Sequence, residues 1–229
     1  MSSLLVPPAL RPWVAGVDVA TADHSVAVDL PDHASTLLLR RDRRELVALG
    51  PRTRASYHLG AAGHSCVRVR LRPGRALALF GRRPGELTDR ALPLDALPGL
   101  DLDRLATDPT GALTAALADR PPPSGQLDVA ARLLADATPV AAVAARLRLG
   151  ERRLRALFTE ATGLSPKRFA RIDRLRAVLA AEAGRWSEIA VAAGYYDQSH
   201  LTAEFRHFMG VPPAAFTAGR RPAADRCVP

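Results

Sequence analysis

The chain carries one short scaffold twice. Residues 151–169 read ERRLRALFTEATGLSPKRF, and residues 198–216 read QSHLTAEFRHFMGVPPAAF. A shift of 47 positions lays Leu154 on Leu201, Phe158 on Phe205, Gly163 on Gly210, Pro166 on Pro213 and Phe169 on Phe216. Further upstream, Val143-Ala144 falls on Ile189-Ala190 and Leu149 on Tyr195 at a shift of 46, so one residue is inserted in the second copy. Each copy then reads as a short helix with a small alanine, a tight turn, and a second helix with apolar residues four apart. The alanine lets the helices cross closely, and the turn sets them at roughly 90–120°. The pairs Leu154/Phe158 and Leu201/Phe205 seat the second helix on the domain and turn its opposite face outward.

The outward residues differ between the copies. In the first they are Arg152, Arg153 and Arg155; in the second they are Gln198, Ser199, His200, Thr202 and Arg206. These side chains suit base edges in a major groove: arginine pairs with guanine O6/N7, glutamine with adenine N6/N7, and the hydroxyls serve either way. The N-terminus of each second helix also turns free N–H groups toward phosphates. Two such helices bridged by a long one are suited to successive major grooves of double-stranded DNA, about 34 Å apart on one face. The formal charge of +9 agrees with an anionic partner. Only Lys167 among the 32 basic residues is lysine, a bias that also inflates pI without any function. From Gln126 onward basic residues outnumber acidic ones by six, against three upstream.

The remaining chain divides at Arg120–Gln126, RPPPSGQ, because three prolines cannot continue a helix and Ser-Gly adds freedom. Upstream, HSVAVDL at 24–30, STLLLR at 35–40 and SCVRVRLRP at 65–73 read as strands. In the last, Val67, Val69 and Leu71 share one face and Arg68, Arg70 and Arg72 the other. Residues 75–80 read as a short helix, 81–99 as turns and 102–118 as helical. Downstream, helices are expected over 127–136, 140–147, 151–162, 166–183, 186–193 and 198–209, with a seventh opening near Pro212. Gly163 and Gly210 suit the position just past a helix end, and Asp197 suits a cap. The expected architecture is an α+β two-domain chain. A small β-rich domain over 1–119, with a barrel as one option, is followed by a linker at 120–126. An all-α domain with two helix-turn-helix motifs over 127–217 and a tail over 218–229 complete it.

At IAVAAGYYDQSHLTAEFRHFMGVPPAAF, residues 189–216, the sequence resembles the C-terminal signature of AraC/XylS-type transcription regulators. The places that carry the resemblance are Ile189, Ala190, Gly194, Tyr195, Asp197, Gln198, Ser199, Leu201, Phe205, Arg206, Gly210, Pro213 and Phe216. The resemblance covers residues 127–217 and implies that the third and sixth helices of the domain enter the major groove. Departures are Ala156 and Ala203 where the family often has arginine, Arg148 at the turn glycine of the first motif, and Gly150 at its serine cap. Residues 64–97, with VRLRPG and PGELTDRALPLDAL, are similar to an uncharacterised short N-terminal domain fused to this module. In the wider family the N-terminal domain senses a small-molecule effector or drives a homodimer. RNA polymerase is a further partner the resemblance implies.

No enzyme is expected. GxSxG, HExxH and GxxxxGK[ST] do not occur, and Asp101 and Asp103 read as loop and helix-cap residues. No cofactor or metal is assigned. His58, His64 and Cys66 lie near one another in sequence, but the set lacks a fourth ligand and spans a Gly-rich turn. Cys66 and Cys227 make no disulfide framework, and the N-terminus has no basic leader, so the expected place is the cytoplasm. Apolar runs such as 139–145 fall well short of the roughly 20 residues of a membrane helix. Trp13 and Trp186 read as core. Two alternatives stay open on sequence: a small metal-dependent enzyme over 1–120 tethered to a DNA-binding module, and a helical bundle that binds protein.

Overall fold

The computed structural model describes residues 2–21, 26–59, 63–121, 124–181 and 185–224. Strands β1 (Ser2–Leu4), β2 (Val14–Thr21), β4 (Thr36–Arg40), β5 (Glu45–Leu49), β7 (Ser65–Leu71) and β8 (Ala91–Leu94) form one antiparallel sheet in the order β1-β2-β7-β4-β5-β8. The sheet is open, with β1 and β8 at its edges, rather than a closed barrel. Strands β3 (Val26–Asp29) and β6 (Ser56–Leu59) pair separately. β7 shows the expected alternation: Val67, Val69 and Leu71 are buried, and the arginines between them stay half-exposed. The buried face joins Leu37, Leu39, Leu46 and Val17 in a core closed by helices α1 (Ala76–Phe80), α3 (Leu102–Thr107) and α4 (Pro109–Leu117). Burial of each such side chain stabilises by roughly 1.5–3 kcal/mol. Trp13 lies in this core.

Three sequence expectations are refined. The 102–118 stretch is two helices, because Pro109 must open a new one and Asp108 caps it, accepting from Gly111 N at 2.9 Å. Asp101 caps α3 through the N–H groups of Asp103 and Arg104. The turn-rich 81–99 stretch contains α2 (Pro84–Leu87) and β8. The strand expected over 24–30 is described from Val26 on, and residues 22–25 lie outside the described residues.

From Gln126 on, among the described residues, every element is helical: α5 (Gln126–Ala135), α6 (Val140–Arg146), α7 (Glu151–Thr162), α8 (Pro166–Ala180), α9 (Trp186–Ala192), α10 (Gln198–Met209) and α11 (Pro213–Thr217). The helix expected over 166–183 ends at Ala180, and 182–184 lie outside the described residues. Two apolar clusters hold the helices. Ala131, Leu134, Val143, Ala144, Leu154, Phe158 and Phe169 form the first. Ile172, Leu175, Val178, Ala190, Leu201, Phe205 and Phe208 form the second, with Trp186 packed against it. Helix α8 belongs to both, giving Phe169 to one and Ile172 and Leu175 to the other. Of the expected tail, Arg220 N donates to Ala215 O and Arg221 lies 3.8 Å over the Phe216 ring. Cys227 lies outside the described residues.

The sheet half grips both repeat copies. Arg75, 1% exposed, donates to Pro12 O at 2.9 Å and Pro73 O at 2.7 Å, and bonds Asp128 of α5. Arg72 reaches the same carboxylate at 3.1 Å. Thr88 Oγ1 meets Gly163 O past the end of α7. His33 pairs with Asp173 of α8 at 3.0 Å, while Asp32, held by both arms of Arg70, also pairs with Arg176 at 3.2 Å. Ala55 N donates to Phe208 O, and Tyr57 Oη to Met209 O at 2.6 Å, at the end of α10.

Candidate nucleic-acid interface

The two copies make the same turn, bond for bond. Leu149 N donates to Ala144 O at 2.9 Å and Tyr195 N to Ala190 O at 2.9 Å. Arg148 N donates to Ala145 O at 3.0 Å and Gly194 N to Val191 O at 3.0 Å. The turn needs a left-handed residue at this point. Gly194 supplies it freely at φ +76°, and Arg148 adopts it at φ +54°, a conformation that strains a residue with a Cβ. Both second helices end on left-handed glycines, Gly163 at φ +76° and Gly210 at +75°. Ala144 and Ala190 are buried at the helix crossings.

Helix α7 buries Leu154 and Phe158 and exposes Arg152, Arg153 and Arg155. Arg155 bridges to Glu151 at 2.6 Å, one turn back on the same face. Helix α10 buries Leu201 and Phe205, exposes Gln198, Ser199, His200 and Arg206, and leaves Thr202 half-buried. His200 sits edge-on to Tyr195 with centroids 5.3 Å apart. Ala156 and Ala203, each one turn after Arg152 and Ser199, are exposed and short, so the longer neighbours carry whatever reach the faces have.

Several features were not legible in the sequence. Tyr196 stands 91% exposed at the entry to α10. Glu204, on the same helix, is buried and faces Arg171 at 3.4 Å, His200 at 3.6 Å and Arg174 at 3.9 Å. Its counterpart in the first copy is Leu157. Burial raises the Tyr195 phenol above its ordinary value, and the charge of Glu204 adds to this, outweighing Arg174 and Arg171. Arg155, Lys167 and Arg174 line a cleft of about 370 Å³ walled by Leu134, Pro139 and Val140. Among the described residues no three His, Cys, Asp or Glu side chains gather to hold a metal ion. His58 instead faces Asp29 and His64 faces Asp42. No helix of the described residues is long and apolar enough to cross a membrane.

The family model of a helix-turn-helix domain matches residues 143–219. No curated protein matches the chain. Among solved structures the chain is similar to ToxT of Vibrio cholerae. ToxT from O395 shares 11% identity at a TM-score of 0.46, over 87% of this chain and 95% of that one. An apo variant of ToxT from strain SCE256 shares 12% at 0.48, over 88% and 96%. Wild-type ToxT from the same strain, bound to an unsaturated fatty acid, shares 14% at 0.46, over 91% and 96%. These likenesses are too loose to transfer a ligand or a contact. The family match and the two matching turns show that residues 143–219 carry a helix-turn-helix domain in which the turn is made twice.

Proposed function

We propose that the chain is a sequence-specific DNA-binding transcription regulator that inserts α7 and α10 into successive major grooves. The observation that carries this is the bond-for-bond identity of the two turns, each presenting an exposed polar helix face. Arg152, Arg153, Arg155, Gln198, Ser199, His200, Thr202 and Arg206 are the proposed DNA contacts. The proposed division of the chain is a control domain over 1–119, a linker over 120–126 and the DNA-binding domain over 127–217. The regulator works in the cytoplasm and carries out no reaction of its own. Its controls are a small-molecule effector acting through the sheet half, a homodimer on the operator, and contact with RNA polymerase. The grip of the sheet half on α5, α8 and α10 supports the first of these, because a change there reaches both copies.

Selection of duplex DNA by the full chain, followed by affinity at several salt concentrations, tests the proposal. Enrichment of two short elements one helical turn apart, with binding that weakens as salt rises, is the expected result. Salt-sensitive binding with no enriched sequence would mean a basic surface without a code, and absence of binding would mean a protein-interaction bundle.

A further inference from the structure

The register of the repeat pairs the arginines of the first face with other chemistry on the second. At a shift of 47, Arg152 falls on Ser199, Arg153 on His200 and Arg155 on Thr202, while Glu151 falls on Gln198 and Thr159 on Arg206. Three arginines of one face are a serine, a histidine and a threonine on the other. The helix entries differ in the same sense. Gly150 opens α7 with no side-chain acceptor, whereas Asp197 at the same place caps α10, taking the His200 N–H at 2.7 Å and placing a carboxylate there. Behind α10, Glu204 draws in Arg171 and Arg174 of α8, so those cations serve a buried carboxylate. The face of α7 therefore carries three arginines against Glu151, which pairs with Arg155, and that of α10 carries Arg206 beside the capping Asp197, so copy one is the more positive of the two.

We infer that the two copies divide the work of DNA binding unequally: α7 carries the larger share of the phosphate contact and the weaker of the two selected elements, and α10, with Tyr196 at its entry, sets most of the sequence preference. This rests on the DNA-reading proposal above. Lysine neutralises a phosphate as arginine does, so the salt-dependent part of binding survives that exchange, whereas an arginine fork on a base edge is not reproduced by lysine. Neutral amide and hydroxyl groups release no counterions when they meet a phosphate, but they select base edges by donor and acceptor pattern. Tyr196 is the residue inserted between the turn and the cap of the second copy and has no counterpart in the first. Its side chain, 91% exposed two residues before Gln198, is free to pack on sugar or base and to donate a hydrogen bond from its hydroxyl.

The test uses the full chain, a selected duplex and a scrambled one, each over a salt series. Replacing Arg152, Arg153 and Arg155 together by lysine should keep the slope of log affinity against log salt and leave most of the preference between duplexes intact. Replacing the same three by glutamine should lower the slope of log affinity against log salt by about 2–3 and weaken both duplexes by a similar factor. Changing Gln198→Ala with Ser199→Ala should leave the slope unchanged and reduce the preference about tenfold or more. Tyr196→Ala should reduce the preference in the same direction. Thermal unfolding of each variant checks that these exposed changes leave the fold intact. If the lysine variant loses the preference, α7 reads bases and the division is overturned. If both sets lower slope and preference alike, the division is overturned while DNA reading stands. If no variant alters binding to a selected duplex, the DNA-reading face itself is misassigned and the proposed function's contact set falls with it.

Discussion

Asp128→Ala removes the one carboxylate that faces a buried cation joining the two halves. Arg75 is 1% exposed, and its guanidinium is held by Asp128 and by the carbonyls of Pro12 and Pro73. Removing one partner of a buried pair costs about 3–5 kcal/mol, since the remaining charge stays desolvated. The two carbonyls stay in place, and Arg72, half-exposed, can turn to water, so the expected loss is about 3 kcal/mol. For a chain of this size that lowers Tm by about 6–12 °C. Urea unfolding followed by tryptophan fluorescence measures the loss. Trp13 lies in the sheet core and Trp186 in the helical half, so the single-tryptophan variants W13F and W186F report the halves separately. The expected result is a lower midpoint together with separation of the two transitions, because the bond removed lies between the halves. The double change Arg75→Met with Asp128→Leu should recover part of the loss, since it removes the unpaired buried charge but leaves the carbonyls of Pro12 and Pro73 without their donor. A loss under about 1 kcal/mol with coincident transitions would refute the claim that this pair joins the halves.

Three further outcomes are expected. Gly163→Ala places a Cβ 2.8 Å from the Pro84 backbone in a residue at φ +76°, so it should cost at least about 2 kcal/mol by denaturant titration and loosen α2 from α7; a change under about 0.5 kcal/mol would contradict this contact. Burial alone would raise the Asp32 carboxyl, but the hydrogen bonds and charge of Arg70, with Arg176 and His33, outweigh it and hold the value at about 2. A depressed carboxylate contributes in full above its unfolded value of 3.8, and its share, about 2 kcal/mol, should be lost as pH falls from there to about 2. Asp32→Asn should flatten that part of the acid-unfolding profile, and an unchanged profile would refute the assignment. Arg148→Gly should relieve the left-handed strain in the first turn and leave stability unchanged or higher by up to about 1 kcal/mol, read as Tm; a clear loss would show that the arginine side chain supports the turn.

The helical half was legible because its signals are local. Leu154 and Phe158, or Leu201 and Phe205, lie one turn apart, and Gly163 and Gly210 mark the ends they were expected to mark. Periodicity inside β7 likewise foretold which of its residues would be buried. Strands β1, β2 and β8 were not read, since each is made a strand by a partner: β2 pairs with β7 some fifty residues away, and β8 joins β5 from within a segment rich in turns.

The sequence by itself determined that two copies of one helix-turn-helix exist, which faces they expose, and that those faces differ in charge. Only the tertiary structure decided that Arg75 is buried, that Glu204 turns inward to the arginines of α8, and that Asp32, His33, Tyr57 and Thr88 tie the sheet to both copies. The reason is physical. A repeat and its helix periods are set by residues within a few positions of one another, whereas a buried ion pair forms between groups such as Arg75 and Asp128 only once long-range folding has brought them together and removed the water that would otherwise solvate each alone.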